Sequence, residues 1–254
     1  MKICYDHVCG KQQDTDFIHC LVSAIVDEGE EDYALQNGWS PSNVWYSADT
    51  NFSKNNKVIW YQSRQTRINL NKFKKTKTEK RSRIKILKND LEVTITETPS
   101  FDLLFDIYEK YVKHKKFKDF FNKEEFIENY KCDSHIFIIY GDCAFSLVEK
   151  VGSSLVSHQF CWDYSLPFLG LGRFSTYYEV ELAKKYGLKY LYLGASYEDT
   201  ALYKSTFSGF EFWTGRIWSN DCEIYNSLVK KDSELSDICQ ISSYYQDYFD
   251  CLSV

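Results

Sequence analysis

The hydrophobic and polar positions of this chain change period several times. Residues 16–37 (DFIHCLVSAIVDEGEEDYALQN) carry apolar residues at helical spacing and predict an amphipathic helix, closed by Leu35 before Gly38. Ser42–Tyr46 and Lys57–Gln62 have strand character. Phe73–Leu87 is a helical pattern of unusual kind, with Phe73, Ile84 and Leu87 as a small apolar minority among basic residues. Leu91–Thr98 (LEVTITET) alternates as a strand. Ser100 is placed to cap a helix whose apolar face holds Phe101, Leu104, Phe105, Tyr108 and Val112. A second helix is expected through NKEEFIENY.

From Ser134 the period switches to that of strands. HIFIIYG, CAFSLVEKVG and SSLVSHQFCWDY predict three successive strands with turns at Gly141-Asp142 and Gly152-Ser153. The turn Gly170-Leu171-Gly172-Arg173 leads into a predicted helix over Phe174–Tyr186, which Gly187 ends. Leu188–Leu193 (LKYLYL) reads as a buried strand, Thr200–Thr206 as a helix, and Phe210–Trp218 as further strands. The tail after Ser219 is acidic and reads as partly helical. Three meandering strands, a glycine turn, a helix and another strand is the core order of a GNAT-type acyltransferase. The expected class is therefore α+β, with a GNAT-like domain over residues 99–254 and a smaller α/β domain over residues 1–98. In such an arrangement the N–H groups at Gly170–Gly172 can approach a phosphate or an oxyanion. A tight turn packing a helix onto a sheet would use the same glycines.

Charge adds a second theme. The stretch 64–88 holds eleven Lys or Arg against one acid, Glu79, a net of +10, in a chain whose formal charge is −5; the remainder carries −15. Positive charge gathered into one tenth of an acidic chain points to a polyanion partner, bound through release of condensed counterions. A solvated basic loop is the plainer reading of the same charges.

The 254 residues, 44% hydrophobic with 20 Tyr and 18 Phe, suffice for a sizeable core. No segment approaches the length of apolar chain needed to span a bilayer, and MKICYDHVCGKQQD lacks the apolar centre of a signal peptide, so no membrane association and a cytoplasmic location are expected. The odd count of nine cysteines favours reduced thiols. Cys4, His7, Cys9, His19 and Cys20 cluster, but their spacing fits no standard closed zinc site, and no metal is expected. The five histidines are scattered and receive no role.

Four groups of residues resemble the aminoacyl-tRNA–protein transferases of the arginyl/leucyl N-end-rule type, in the bacterial leucyl-transferase-like branch. They are Gly38–Tyr46 (GWSPSNVWY); Tyr61–Arg64 with Phe73–Arg81 and Lys88–Leu91; Phe160–Tyr164 (FCWDY) with Leu171-Gly172 and Glu179; and Tyr190–Gly194 (YLYLG) with Tyr203-Lys204, Glu211 and Trp218. The chain departs from that pattern at Gly170, where the family has Ser, after Asp163, where Pro is missing, and at Ser208-Gly209, in place of Arg-Pro.

The resemblance implies transfer of an amino acid from aminoacyl-tRNA to an amine, as in N-degron tagging, with a protein or peptide as acceptor. Aminoacyl-tRNA is then the co-substrate, and no cofactor is expected. The activated ester needs placement more than a strong nucleophile. Asp163 and Glu211 are the candidates to take the amine proton. Tyr203 would position the adenosine or the amine, and Lys204 an acidic acceptor group. Gly170, Gly172 and Gly194 would line the substrate site, with oxyanion donors at Gly170–Gly172. Arg64, Lys77, Lys80, Arg81 and Lys85 are the candidate tRNA contacts. Asp163 could equally cap a strand end, and Glu211 could form an ion pair with Lys204. Two other function classes compete. A CoA-dependent N-acyltransferase would not need the basic stretch, and Leu166–Leu169 lacks the basic or Gln residue of an acetyl-CoA loop. A tRNA-binding relative without activity would tolerate the departures around residues 163–170.

Overall fold

The computed structural model describes residues 1–12, 15–42, 59–62, 64–117, 120–195 and 199–234. The architecture is mixed α/β, built on one large sheet and one small one. The small sheet has the order β1-β2-β4-β3, from β1 (Lys2–Gln12), β2 (Thr15–Ile25), β3 (Trp39–Ser42) and β4 (Ile59–Gln62). The helix expected over residues 16–37 is thus corrected. Its first half is β2, paired antiparallel with β1 from Lys2↔Ile25 to Gln12↔Thr15, and only Glu31–Gln36 forms a helix, α1. A short apolar run satisfies both periods, and an available partner strand decides between them. Residues 43–46 and 57–58 of the two predicted strands lie outside the described residues, as do the side chains of the N-terminal Cys/His cluster.

The large sheet draws on both halves of the chain. Its strands are β5 (Gln65–Asn69), β6 (Val93–Thr96), β7 (His135–Tyr140), β8 (Ala144–Val151), β9 (Ser154–Trp162), β10 (Tyr190–Ala195), β11 (Phe210–Trp213) and β12 (Trp218–Ser219). The order is β12-β11-β5-β10-β9-β8-β7-β6. The expected division at residues 98/99 therefore follows no break in the sheet: β5 lies between β11 and β10, and β6 forms the far edge.

Helices cover both faces. α3 (Phe101–Lys115), capped by Ser100 as expected, and α4 (Lys123–Tyr130), opened by a capping box from Asn122 and Glu125, bury Leu104, Ile107, Phe126 and Tyr130 against Phe137, Phe145 and Cys161. On the opposite face lies α5 (Leu171–Lys185), whose Leu171, Phe174, Val180 and Leu182 pack with Ile138, Val148, Leu155 and Leu191. The basic helix α2 (Lys77–Lys88), capped by Thr76, inserts Ile86 into that same cluster. Residues expected as a helix at Thr200–Thr206 form a 3-10 helix over Asp199–Thr206, and α6 (Cys222–Glu234) lays Tyr225, Leu228 and Val229 on Phe210 and Phe212 of β11. The small sheet and α1 cover Val151, Val156 and Tyr192. α1 is fastened there by Asp32, whose carboxylate accepts from both N–H and hydroxyl of Ser153, at 2.8 and 2.9 Å.

Candidate active site

β9 and β10 run parallel but pair only over Ser154–Val156 and Tyr190–Tyr192. Beyond that point the two strands part. β10 also breaks register against β5 between Tyr192 and Gly194, a bulge that Gly194 accommodates with φ +73°. Two carbonyls past the end of the β9 pairing, those of Leu193 and Ala195, accept from Lys204 Nζ at 2.7 and 3.0 Å. The Gly194 carbonyl accepts from Thr66 Oγ1 at 2.8 Å. Lys204 thus serves the opened strand rather than reaching into solvent.

Into this divergence α5 delivers Glu179, 2% exposed. It shares a helix face with small residues, lying three or four positions from Ser175, Thr176 and Ala183, with Gly172 two turns before it. Ser146 of β8 and Ser157 of β9 bond its carboxyl, and Lys204 adds a favourable charge. Burial outweighs these and pushes its pKa up to about 7. Tyr203 hydrogen bonds with Thr176, and its phenol is pushed up to about 12, first by burial and then by the charge of Glu179. Glu179, Tyr203, Lys204, Ser146, Ser157 and Thr176 form one polar constellation within an apolar core. Sequence reasoning had placed Glu179 only as part of the resemblance. The legible signal was an acid on the small-residue stripe of an otherwise apolar helix face.

The other two predicted carboxylates are not in this constellation. Glu211 on β11 accepts from Arg67 Nε at 2.8 Å and from Lys72 Nζ at 2.8 Å. Arg67 is held between the rings of Tyr190 and Trp218, at 4.0 and 3.9 Å from their centroids, and also donates to Gln36 and to the Tyr192 hydroxyl. Burial raises the Glu211 pKa, but Lys72 and Arg67 together bring it net below the ordinary value. Its expected partner Lys204 is committed elsewhere. Asp163, at the end of β9, accepts from Ser165 N at 2.9 Å and pairs with Lys110 at 3.2 Å; Ser165 first, and then Lys110, hold its carboxyl below the ordinary value. The expected convergence of Asp163, Tyr203, Lys204 and Glu211 is therefore corrected: Tyr203 and Lys204 flank Glu179, while Asp163 and Glu211 have separate partners. Alternation explains the split, because Arg67 meets Tyr192 while Leu191 of the same strand packs toward α5.

Gly170 caps α5 with φ +66° and Gly172 lies in its first turn. A Cβ at either would meet nothing within 4 Å. Gly170 is accounted for by its positive φ. Gly172 is helical, so neither backbone nor packing demands glycine there, although it costs a helix up to about 1 kcal/mol relative to Ala.

The basic segment divides into paired and exposed cations. Arg64 is buried in an ion pair with Asp232, which corrects its assignment as an exposed phosphate contact. Arg83 bonds Glu79 and Glu181, and Lys75 also reaches Glu181. Lys77, Lys80, Arg81, Lys85 and Lys88 are exposed and make no ion pair among the described residues. With exposed Ile84 they recur at helical spacing along one face of α2.

Among the described residues no helix is long and apolar enough to cross a membrane. No curated protein matches the chain. Two solved structures are similar to parts of it. One is the C-terminal domain of a protein described as a lysylphosphatidylglycerol synthetase from Agrobacterium fabrum, at 11% identity and a TM-score of 0.40, over 53% of this chain and 47% of that one. The other is L-PGS from Bacillus licheniformis, at 11% identity and a TM-score of 0.41, over 68% and 51%. The chain spans about half the length of these structures. Residues 103–214, which run from α3 through β11 and contain Glu179, Tyr203 and Lys204, match the family described as arginine-tRNA-protein transferase, C terminus.

Proposed function

We propose that this protein is a GNAT-type aminoacyltransferase that moves an amino acid from aminoacyl-tRNA to the amine of a protein or peptide. The observation that carries this reading is the docking of the cationic helix α2 on α5, the helix that holds both the glycine turn and Glu179. Arg83 and Lys75 bond Glu181 of α5 at 2.7 and 3.2 Å, and Phe73 packs edge-on against Tyr177. A tRNA acceptor stem on the outer face of α2 would bring its charged end toward the opening between β9 and β10.

The chemistry follows from the residues there. The acceptor amine attacks the ester carbonyl, a C–N bond forms, and the ester C–O bond breaks to release the terminal hydroxyl of the tRNA. A carboxylate with a pKa near 7 is matched to taking the amine proton and returning it to the leaving oxygen. Glu179 is that base, in place of Asp163 or Glu211. The N–H groups of the first turn of α5 have no partners within the helix and suit the developing oxyanion. Bare Gly172 leaves room for a ligand to come close. Lys204 and Tyr203 are positioning residues, one fixing the β10 carbonyls and the other facing Glu179.

Incubation with tRNA charged with labelled amino acids and with peptides of varied N-terminus tests the reading. RNase-sensitive transfer of label to peptide is expected. Transfer from acyl-CoA, unaffected by RNase, would overturn it. The α2 contact has its own test. Replacing Lys77, Lys80 and Arg81 together by Ala is expected to weaken binding to all tRNAs alike. It should also flatten the slope of log K against log salt by about 2.7, at roughly 0.9 per duplex phosphate. An unchanged slope would remove α2 from the interface.

A further inference from the structure

We propose that His135, Glu149 and His158 form a binding site for a divalent transition-metal ion of the zinc class, on the sheet face opposite Glu179. The proposal is independent of the aminoacyl-transfer reading. Three neighbouring strands contribute one ligand each. His135 on β7 stands directly across from Glu149 on β8 in the antiparallel register. β9 pairs Ser157 with Val148 and Gln159 with Leu147, so the register skips His158. That extra residue is a bulge, a device that re-aims a side chain. It brings His158 Nε2 to 2.8 Å from Glu149 Oε2 and its ring to 5.7 Å from that of His135. One ligand atom from each of the three residues lies within 4.8 Å of the others.

The chemistry of the set fits a metal better than an ion pair alone. His135 is 1% exposed and the His158 side chain 5%. His135 Nδ1 lies 2.8 Å from the Tyr130 carbonyl, which can only accept, so the proton is on Nδ1 and the lone pair on Nε2. A histidine whose other nitrogen donates to a backbone carbonyl is the usual orientation of a metal ligand. Two imidazoles and one carboxylate supply three protein ligands and leave a fourth position open. Tetrahedral zinc with Zn–N of 2.0–2.1 Å needs ligand atoms about 3.3 Å apart, within reach of side-chain rotation from the observed spacing. The ion would replace the proton that His158 Nε2 shares with Glu149. Glu149 also lines a groove of about 500 Å³ whose wall includes Asp27, Glu28 and Glu31 against one cation, Lys150, a net acidic approach. Elsewhere on this face the sheet is covered by apolar clusters.

The test is titration of the full chain with cobalt(II), followed by visible absorption and by thermal melting. One ion per chain is expected, with the d–d bands of a nitrogen and oxygen site, and melting should shift upward until that equivalent is reached. His158→Gln and Glu149→Gln keep side-chain size and hydrogen-bonding groups. Each is expected to weaken cobalt affinity by more than the roughly 10–100-fold typical of losing an outer-shell partner. Wild-type protein that neither binds cobalt nor shifts its melting with cobalt or zinc would overturn the site. So would a cobalt–thiolate charge-transfer band retained in both variants, which would put the metal on the cysteines. Because the wild-type arm does not depend on the variants folding, the proposal stands or falls without them.

Discussion

Replacing Glu179 by Gln is expected to lower aminoacyl transfer by roughly 10²–10⁴-fold, the range for loss of a general base, with tRNA affinity unchanged. Glutamine keeps the hydrogen bonds of Ser146 and Ser157 but cannot take a proton. The wild-type rate should rise with pH through about 7, the pKa to which burial pushes this carboxyl, and level off above it. That limb should be absent in Glu179→Gln. Stability provides the control. The folded pKa lies above the ordinary 4.5, so the folded state binds more protons than the unfolded one between those values, and stability falls as pH rises through that window. Over a shift of this size the loss amounts to about 3 kcal/mol at pH 8. Glu179→Gln should escape this loss and melt at the same temperature as wild type or higher at pH 8. Full transfer by a well-folded Glu179→Gln protein would remove Glu179 from the chemistry. Lost transfer accompanied by lower melting would mean a structural role only.

Arg67→Ala is expected to destabilise the fold by about 3–5 kcal/mol, because it leaves the Glu211 carboxylate buried without its main partner. Arg67 and Glu211 side chains are 5% and 7% exposed, whereas Lys72 is 60% exposed and can compensate only in part. The same change removes the guanidinium held between Tyr190 and Trp218, which ties β5 and β10 to the end of the sheet. Melting should fall by about 6–20 °C for a chain of this length, and urea unfolding would measure the loss directly. Glu211→Gln should also lower stability, by less, since the amide retains one acceptor for Arg67. Should Glu211→Gln instead melt like wild type and lose turnover, Glu211 would return to the mechanism as a base.

The sequence by itself determined most of the local structure. Ser100 caps the helix its position implies, because capping is a contact between residues three apart, and Thr76 and Asn122 cap α2 and α4 in the same way. The meander of β7, β8 and β9, the glycine turn and α5 were legible for the same reason: short turns join neighbours. The net charge of residues 64–88 was legible as well, but not which cations face solvent. Arg64 meets Asp232 and Arg67 meets Glu211, pairings between residues more than a hundred positions apart.

Tertiary structure decided the rest. β5 reads as a polar strand, QTRIN, yet it is buried between β10 and β11, where Arg67 finds its carboxylate and Thr66 a carbonyl. That insertion, with β6 at the far edge, ties residues before 98 into the large sheet. The site divided along the same line. Matching each polar position to a motif gathered Asp163, Tyr203, Lys204 and Glu211, but a strand sends successive side chains to opposite faces, and register with partners distant in sequence determines which face holds the cleft. Glu179 was legible only as a matched position of the resemblance, and its partners Ser146 and Ser157 came from the fold, because a helix period gives a residue's face but not what that face will cover.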